Sequence, residues 1–209
     1  MRENALPEQF FVTGTDTGVG KTMASAVFLA GIPGCSYWKP IQSGAAEGTD
    51  TEWVRAATGL PGGRFFPEAF LLSAPLSPHA AAALENRRIE PAAIRLPLVP
   101  GPLVVEGAGG VLAPVNERHF MRDVMAGLGL PVVLVARSTL GTINHTLLSL
   151  EALRQAGISV WGLVMNGPKN PGNLEAVEHF GGVRVILEME PLDRITPGAL
   201  KRLYGKIRI

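Results

Sequence analysis

The feature that most constrains the fold of this chain is a glycine-rich segment, residues 14–22, with the sequence Gly-Thr-Asp-Thr-Gly-Val-Gly-Lys-Thr. An apolar run, Phe10–Val12, precedes it, and a pattern typical of a helix follows it. A strand, a turn containing Gly-Lys-Thr and a helix together form the usual arrangement of a phosphate-binding loop. Backbone N–H groups can approach phosphate oxygens closely there, because glycine carries no side chain to block them. The segment therefore predicts a nucleoside-triphosphate site.

Individual residues of this loop have distinct expected roles. Gly18 and Gly20 give the backbone room. The Lys21 ammonium can reach the β- and γ-phosphates, and the Thr22 hydroxyl can join the shell of a Mg²⁺ ion. The loop is a variant, because the first glycine of the standard spacing stands one residue early, at Gly14. A glycine-rich turn with a chance Gly-Lys-Thr is the alternative, and the flanking strand and helix disfavour it. The predicted nucleotide-binding residues of the loop are Gly18, Val19, Gly20, Lys21, Thr22 and Met23.

Composition places the chain among compact proteins and excludes several kinds of partner. Its 209 residues suit one domain, and 46% of them are hydrophobic while 18% are charged. A net charge of +1 gives no electrostatic attraction to nucleic acid or to an anionic membrane. The one cysteine, Cys35, precludes an internal disulfide and favours a reducing compartment. Arg2, Glu3, Asn4 and Glu8 argue against an export signal, and no apolar stretch reaches about 18 residues, so a cytoplasmic protein is expected.

Short apolar runs alternate with helical patterns along the chain, which is typical of an α/β protein. The predicted strands are 9–13, 36–39, 102–106, 131–136, 159–165 and 184–187, and the predicted helices are 21–30, 50–58, 78–85, 121–128, 143–155 and 173–180. The runs 103–105 and 132–135 are continuously apolar, as strands covered on both faces of a parallel sheet require. The pattern predicts a single domain over residues 1–209, a doubly wound, mostly parallel sheet of the P-loop nucleoside-triphosphate-hydrolase type. The turn-rich segment 59–75 is expected to be a surface excursion.

Polar residues gather after the predicted strands. Lys39, Ser43 and Asp50 follow the second strand. Glu106 ends the third strand, and Asn166 follows the fifth. Ligands of doubly wound sheets bind beyond the carboxyl ends of the strands, where the glycine-rich loop also lies. The sequence therefore predicts one site at this edge of the sheet.

Three of these residues have both a chemical and a purely structural interpretation. Glu106 can hold Mg²⁺ directly or through water, or it can cap a surface turn. Asp50 is a second candidate ligand, but it can equally be the N-cap of the next helix. Lys39 can neutralise charge on a transferring phosphoryl group, or it can be a solvated lysine. The residues alone leave these alternatives open.

Four motifs together resemble the dethiobiotin synthetases. They are the glycine-rich loop, Lys39–Gly44 (Lys-Pro-Ile-Gln-Ser-Gly), Glu106–Gly109 (Glu-Gly-Ala-Gly) and Leu140–His145 (Leu-Gly-Thr-Ile-Asn-His), in this order. Asn166, after the fifth predicted strand, also fits the family's pattern. The resemblance runs from about residue 11 to residue 192. Each motif is modestly specific, and the set is highly specific.

The resemblance implies an ATP-dependent cyclo-ligase of biotin biosynthesis. Enzymes of this family convert 7,8-diaminopelargonic acid, CO₂ and MgATP into dethiobiotin, ADP and phosphate. One amine takes up CO₂ as a carbamate, and the carbamate oxygen attacks the γ-phosphate. The other amine then closes the ureido ring and expels phosphate. The protein supplies positioning and charge stabilisation, which agrees with the absence of a Ser-His-Asp or Cys-His arrangement in the sequence.

The resemblance also implies roles for individual residues. Lys21 and Lys39 would be the catalytic lysines, and Ser43 would contact the substrate. Mg²⁺ would be held by Thr22, Asp50 and Glu106. Asn166 would recognise the adenine edge, with residues 190–192 along the nucleoside. The implied cofactor-binding residues beyond the loop are Asp50, Glu106, Gly107, Ala108, Gly109, Asn166, Gly167, Glu190, Pro191 and Leu192. The family often has Glu where Gly18 stands, so that carboxylate is missing here although the backbone cradle should remain.

The family forms symmetric dimers with shared sites, which implies a role for the start of the fifth predicted helix. Its free N–H groups and positive dipole end would bind the substrate carboxylate of the partner's site. The residues implied are Gly141, Thr142, Ile143 and Asn144. The expected partners are thus the diamine, CO₂ and a second copy of the chain, with no nucleic acid and no membrane.

Three other classes of protein share part of this pattern. Partitioning and cell-division ATPases have similar loops, but they carry an additional lysine near the loop's start, and residues 14–17 contain none. Amidating synthetases of cobalamin synthesis need a glutamine-hydrolysing domain with a nucleophilic cysteine, for which Cys35 is misplaced and the chain too short. A non-catalytic nucleotide-binding subunit would bind ATP without diamine-dependent turnover.

Overall fold

The computed structural model describes residues 6–208. Within that range the strands are β1 Gln9–Gly14, β2 Ser36–Trp38, β3 Ile41–Gln42, β4 Phe65–Phe66, β5 Phe70–Leu71, β6 Leu103–Glu106, β7 Val132–Arg137, β8 Val160–Asn166 and β9 Val185–Met189. The helices are α1 Lys21–Gly31, α2 Asp50–Thr58, α3 Pro78–Leu84, α4 Met121–Leu128, α5 Thr142–Gln155, α6 Pro171–Gly181 and α7 Pro197–Tyr204. Short 3₁₀ turns occupy Ala45–Glu47, Gly62–Arg64 and Pro91–Ala93.

Most described strands belong to one parallel sheet. Seven of them lie in the order β4-β2-β6-β1-β7-β8-β9, and each of these neighbouring pairs is parallel. β3 and β5 form a separate two-stranded parallel sheet. Because β1 pairs with β6 on one side and β7 on the other, the loop after β1 lies at the middle of the sheet's carboxyl edge. The predicted α/β fold is confirmed.

Helices on both faces of the sheet enclose two hydrophobic cores. Successive residues of β1 enter them alternately, with Phe11 in one core and Phe10 and Val12 in the other. The apolar runs 103–105 and 132–135 are fully buried, as two-sided cover requires. Each fully buried Val, Leu or Phe side chain contributes about 1.5–3 kcal/mol of transfer free energy. These cores therefore fix the strand ends on which the polar residues stand.

The first and last residues of the predicted helices and strands agree closely with those in the structure. α2 and α4 have the predicted bounds, and the other predicted elements differ by one or two residues at an end. Gly59 ends α2 in the left-handed conformation, with φ 65°. α3 begins at Pro78 directly after its N-cap Ser77. α6 begins two residues before its predicted start because Asn170 caps it and Pro171 occupies its first position.

The prediction of a surface excursion over residues 59–75 is only partly right, because most of these residues are exposed or half-buried but two short strands lie among them. Phe65–Phe66 is the edge strand of the main sheet, Phe70–Leu71 pairs with β3, and Leu72 is fully buried. The many prolines and glycines of this segment suggest a loop, but Phe65, Phe66 and Phe70 between them pack against the hydrophobic cores, while Leu71 is exposed. α7 was also not among the predicted helices, and its Leu200 and Leu203 pack into the core on the α1 face.

The expectations about export and membranes concern different parts of the chain. Arg2, Glu3 and Asn4, which argue against an export signal, lie outside the described residues. Within residues 6–208, no helix combines the length and apolar character needed to cross a membrane.

Candidate active site

The glycine-rich loop joins β1 to α1, and its conformation requires glycine at several positions. Gly18 and Gly20 have φ of 70° and 101°, in the left-handed region that favours glycine. A Cβ on Gly20 would also collide with the side-chain amide of Asn166. At Gly14 a Cβ would lie 2.6 Å from Cγ2 of Val19, so the displaced glycine of this variant loop is needed for packing. The loop can therefore present its N–H groups closely to a phosphate chain.

Lys21, the first residue of α1, folds back over the loop. Its Nζ donates to the carbonyl oxygen of Asp16 at 2.9 Å, and the residue is 6% exposed. Burial, with a smaller contribution from the charge of Lys39, lowers the pKa of Lys21 to about 8, although nearby carboxylates act in the opposite direction. The ammonium group thus lies inside the loop in the place where phosphate oxygens would approach.

Thr22, Lys39, Asp50 and Glu106 converge on one cluster from α1, the end of β2, α2 and β6, respectively. The Thr22 hydroxyl oxygen lies 2.8 Å from Oε1 of Glu106 and 3.1 Å from Oδ1 of Asp50. The Lys39 ammonium lies 2.6 Å from Oδ2 of Asp50 and 3.0 Å from Oε1 of Glu106. The structure therefore brings these four predicted residues together. Glu106 does not cap a surface turn and Lys39 is not a solvated lysine, since they are 0% and 4% exposed.

The ion pairs determine the charge states of this cluster. Burial alone would lower the pKa of Lys39, but the adjacent carboxylates of Glu106 and Asp50 raise it above its ordinary value. Burial would raise the pKa of Asp50, but Lys39 holds it below its usual range, with help from the Thr22 hydrogen bond. Lys39 therefore remains cationic and Asp50 anionic at neutral pH.

The start of α2 places Asp50 toward this cluster. The N-cap is Thr49, whose side chain accepts from the backbone N–H of Glu52 while the Glu52 carboxylate accepts from that of Thr49. The backbone N–H of Asp50 donates at 3.1 Å to the side-chain oxygen of Gln42, at the end of β3. Because Thr49 provides the cap, the Asp50 side chain is free to contact Thr22 and Lys39. The alternative that Asp50 is itself the N-cap is wrong.

Three side chains of the site were not predicted. Tyr37 donates its phenolic proton to Oε2 of Glu106 at 2.9 Å. Gln42 holds the start of α2, as described above. Arg137, at the end of β7, donates to the carbonyl of Thr17 at 3.1 Å and pairs with the Asp16 carboxylate at 3.3 Å. The spacing from Tyr37 to Lys39 placed both on one face of β2, but the sequence carried no signal that β2 and β6 are neighbours.

A cavity of about 690 Å³ adjoins the loop and the cluster. One wall is the segment 75–78, which supplies apolar surface opposite the charged residues. Ser43 lines the cavity, and its buried hydroxyl oxygen has no hydrogen-bond partner within residues 6–208. Gly107 does not line the cavity, and a Cβ on it would stand 2.8 Å from the Phe11 ring. The other predicted residues on the cavity surface are Gly18, Gly20, Lys21, Thr22, Lys39, Asp50, Glu106, Ala108 and Gly109.

The predicted nucleoside-binding residues do not line that cavity, and one of them, Asn166, contacts the loop. Asn166 ends β8 and donates its side-chain N–H to the carbonyl of Val19 at 3.0 Å. Gly167 follows it and donates its backbone N–H to Met189. Glu190 pairs with Lys169 at 3.2 Å, and Pro191 and Leu192 follow β9. Asn166 is thus already fixed to the phosphate loop, while its side-chain oxygen remains a possible acceptor.

At the start of α5, one of the backbone N–H groups that were expected to be free is already bonded. The backbone N–H of Thr142 donates to the carbonyl of Thr139 at 3.1 Å, and the Thr142 hydroxyl donates to Arg137, so this N–H is not free for an anion. Gly141 caps the helix with φ 91°, and Asn144 is exposed. A second cavity, of about 420 Å³, lies between His145 on α5 and residues 15–17 of the loop.

The donor set of the cluster suits a hard divalent cation. Mg²⁺ prefers oxygen ligands and usually takes only one or two carboxylates, with water and phosphate oxygens completing its shell. The Thr22 hydroxyl lies 3.1 Å from the Asp50 carboxylate and 2.8 Å from that of Glu106, so one hydroxyl and two carboxylates are available together. No group of three or more His, Cys, Asp or Glu side chains within residues 6–208 has the arrangement of an all-protein metal site. The arrangement therefore fits a cation that arrives with nucleotide phosphates.

Comparison with known proteins gives consistent similarities. A family model described as "AAA domain" matches residues 8–199. The "ATP-dependent dethiobiotin synthetase BioD" of Paramagnetospirillum magneticum is 54% identical over 193 residues, covering 92% of this chain and 93% of that protein. The protein of the same name from Agrobacterium fabrum is 43% identical, covering 95% and 93%. The "Biotin biosynthesis bifunctional protein BioCD" of Bordetella avium is 50% identical, and the match covers 93% of this chain and 42% of that protein.

Solved structures show the same fold at much lower identity. A ParA family ATPase from Chlorobium tepidum has a TM-score of 0.51 at 12% identity, covering 96% of this chain and 90% of that one. The MinC:MinD cell division complex of Aquifex aeolicus has a TM-score of 0.56 at 13% identity, covering 96% and 93%. At this identity the similarity concerns the fold alone.

Proposed function

This chain belongs to the dethiobiotin synthetase family of biotin biosynthesis, and we propose that it forms dethiobiotin, ADP and phosphate from 7,8-diaminopelargonic acid, CO₂ and MgATP. The observation that carries the proposal is the buried Lys39, held between Asp50 and Glu106 on the floor of a cavity that the phosphate loop borders. This geometry supports the proposal because it holds a positive charge beside the loop that would bind the terminal phosphate of ATP. In chemical class the protein is an ATP-dependent cyclo-ligase.

The reaction has three steps. An unprotonated amine of the substrate adds to CO₂ and loses a proton, which gives a carbamate. A carbamate oxygen then attacks the γ-phosphorus and ADP leaves, which gives a mixed carbamic–phosphoric anhydride. The second amine finally attacks the carbonyl carbon, the bond to the phosphate oxygen breaks, and the ureido ring closes with loss of a proton.

The described residues supply positioning and charge for these steps. Lys39 stabilises the carbamate and the phosphoryl group in transfer, and Lys21 with the loop N–H groups holds the phosphates. The Ser43 hydroxyl, which has no hydrogen-bond partner among residues 6–208, binds the substrate. Segment 75–78 covers the apolar chain of the diamine. No protein nucleophile is needed, since each bond forms between substrate atoms.

Thr22, Asp50 and Glu106 would hold the Mg²⁺ ion that accompanies ATP. When bound, the ion neutralises phosphate charge and fixes the phosphate chain in position. The Lys39 ammonium already lies against both carboxylates, so it would share them with the ion.

Recognition of the nucleoside falls to the ends of β8 and β9. The side-chain oxygen of Asn166 would accept a hydrogen bond from the adenine amino group, while its N–H remains on Val19. Gly167 and residues 190–192 would line the base and ribose. The remaining loop residues, Val19 and Met23, would contribute backbone contacts to the phosphates.

The substrate carboxylate would be bound by a second copy of the chain in a symmetric dimer. Gly141, Ile143 and Asn144 at the start of α5 would provide the backbone donors, whereas Thr142 would hold the turn through its bonds to Thr139 and Arg137. A cytoplasmic location suits an enzyme that consumes ATP and carries a free buried thiol, Cys35.

Phosphate release separates this proposal from its alternative, a P-loop ATPase switch of the partitioning or cell-division type. The assay contains ATP, Mg²⁺ and bicarbonate, with and without 7,8-diaminopelargonate. We expect phosphate and dethiobiotin in equal amounts only when the diamine is present. Robust hydrolysis without the diamine, unchanged when it is added, would support the switch instead.

A further inference from the structure

The two oxygens of the Glu106 carboxylate have different hydrogen-bond partners. Oε1 faces the cluster, 2.8 Å from the Thr22 hydroxyl and 3.0 Å from the Lys39 ammonium. Oε2 accepts a hydrogen bond from the Tyr37 hydroxyl at 2.9 Å. Glu106 and Tyr37 are both 0% exposed, so bulk water cannot take the place of the phenol.

The sheet explains why a tyrosine reaches this carboxylate. β2 and β6 are parallel neighbours, and Tyr37 stands opposite Val104, two residues before Glu106. Side chains two residues apart share a face of a strand, so Tyr37, Lys39 and Glu106 lie on the same face of the sheet. The phenol ring extends along that face, and its hydroxyl meets the far side of the carboxylate.

The Tyr37 hydroxyl has no proposed role apart from its hydrogen bond to Glu106. The ring packs in the core and lies 6.0 Å, centroid to centroid, from the ring of Phe65. A phenylalanine would fill the same space and keep that contact. The hydroxyl is needed only to satisfy Oε2, and a buried carboxylate oxygen without a donor is costly.

We propose that Tyr37 is a positioning residue that holds Oε2 of Glu106 and thereby keeps Oε1 directed at Thr22 and at the divalent cation. Without the phenolic donor, the carboxylate turns so that both oxygens share Lys39 and Thr22. Oε1 then leaves the direction in which it meets the cation. The inference rests on the proposed role of Glu106 as a Mg²⁺ ligand.

The test is the affinity of the ADP complex for the cation in Tyr37→Phe. Titrating Mn²⁺ into the protein with ADP, without diamine, gives a dissociation constant independent of turnover. We expect this constant to rise about tenfold or more, as is typical for loss of a hydrogen bond to a metal ligand. Binding of ADP without metal should be unchanged. Phe65→Leu is the matched control, because it alters the packing around Tyr37 without touching Glu106.

Glu106→Gln separates failure of the inference from failure of the proposed function. If Glu106→Gln weakens Mn²⁺ binding but Tyr37→Phe leaves it native, Tyr37 is merely structural and the inference is wrong. If neither variant changes Mn²⁺ binding, Glu106 is not a ligand, and both the inference and the proposed metal site fail.

A second measurement uses the unaltered protein, in case Tyr37→Phe does not fold. The chain has only two tyrosines, so ¹³Cζ labelling gives two resonances, which Tyr204→Phe assigns. We expect the Tyr37 resonance to shift when Mg²⁺ is added to the ADP complex, while the Tyr204 resonance stays in place. A Tyr37 resonance that does not respond to the cation would overturn the inference.

Discussion

At the scale of single residues, the two lysines of the site differ in what holds them. Lys21 is bound to the phosphate loop itself, through the Asp16 carbonyl. Lys39 comes from the end of the neighbouring strand and is bound to two carboxylates. The first therefore stands where nucleotide phosphates would bind, and the second stands against the two carboxylates proposed to hold the cation.

Replacing each lysine should separate nucleotide binding from turnover. Lys21→Ala should weaken ATP binding, because a phosphate contact is lost. Lys39→Met should leave ATP affinity within a few-fold of native and lower kcat about a hundredfold, the usual effect of removing one electrostatic contact to the transition state. Calorimetric ATP titration and steady-state kinetics measure the two effects. Equal loss of ATP affinity in both variants would contradict the separate roles, and circular dichroism must show that each variant is folded.

Cys35 should be unreactive in the folded protein. It is 2% exposed, and burial raises the pKa of its thiol to about 12. Because the thiolate is the reactive form, 5,5′-dithiobis(2-nitrobenzoic acid) should modify Cys35 slowly at pH 8 and rapidly in urea. Fast modification of the native protein, with a rate that does not depend on unfolding, would show that the site is open.

The same thiol makes stability depend on pH in the alkaline range. The pKa of Cys35 rises on folding, so its contribution to the free energy of unfolding is complete below about pH 9, the unfolded value, and is lost as pH rises toward 12. The difference in free energy of unfolding between the native chain and Cys35→Ala should therefore shrink from pH 8 to pH 10. A difference that stays constant would contradict this linkage.

At the scale of secondary-structure elements, α2 is the one whose start determines the site. Its capping box, Thr49 with Glu52, and the Gln42 side chain fix the first turn, where Asp50 meets Lys39 and Thr22. The site is thus assembled from helix starts and strand ends. Each of these ends has N–H or C=O groups that the element itself cannot satisfy.

Thr49→Ala should affect both stability and the cation requirement. Loss of the N-cap should lower the free energy of unfolding by about 1 kcal/mol. Without its N-cap, the first turn of α2 should hold Asp50 less firmly. The Mg²⁺ concentration for half-maximal turnover should therefore rise. Thr49→Ser keeps a capping hydroxyl and should behave as native in both measurements. A Thr49→Ala variant that is less stable but has a native Mg²⁺ requirement would show that the cap does not position Asp50.

At the scale of the whole molecule, the alternation of apolar runs was enough to predict the parallel sheet and the ends of most helices to within one residue. The phosphate loop, Lys39, Asp50 and Glu106 could be predicted because each stands at a strand or helix end. The edge strand at Phe65–Phe66 could not, since proline and glycine around it outweigh two aromatic residues in the local pattern. The contact of Tyr37 with Glu106 depends on which strands are neighbours. That order is a tertiary property, and no local pattern in the sequence encodes it.

The predicted dimer can be tested by complementation between two inactive forms. The reason for this test is that Asn144, at the exposed start of α5, does not line the cavity beside the phosphate loop of its own chain. In a symmetric dimer it can serve the partner's site. Asn144→Asp places a negative charge beside the substrate carboxylate and should raise KM for the diamine about tenfold or more, whereas Asn144→Ser should have a much smaller effect. Thr142 is unsuitable for this test, because its backbone N–H already bonds Thr139.

Mixing Lys21→Ala with Asn144→Asp under subunit exchange should restore activity at low diamine concentration. In a mixed dimer one site combines both defects, and the other combines a native phosphate loop with a native α5 start from the partner. If exchange is random, roughly half the dimers are mixed and each has one intact site, so activity should reach roughly a quarter of native. Analytical ultracentrifugation establishes that dimers form, and mass spectrometry counts the mixed ones. If mixed dimers are present and activity equals the average of the two parents, each site is built within one chain and the shared-site proposal is wrong.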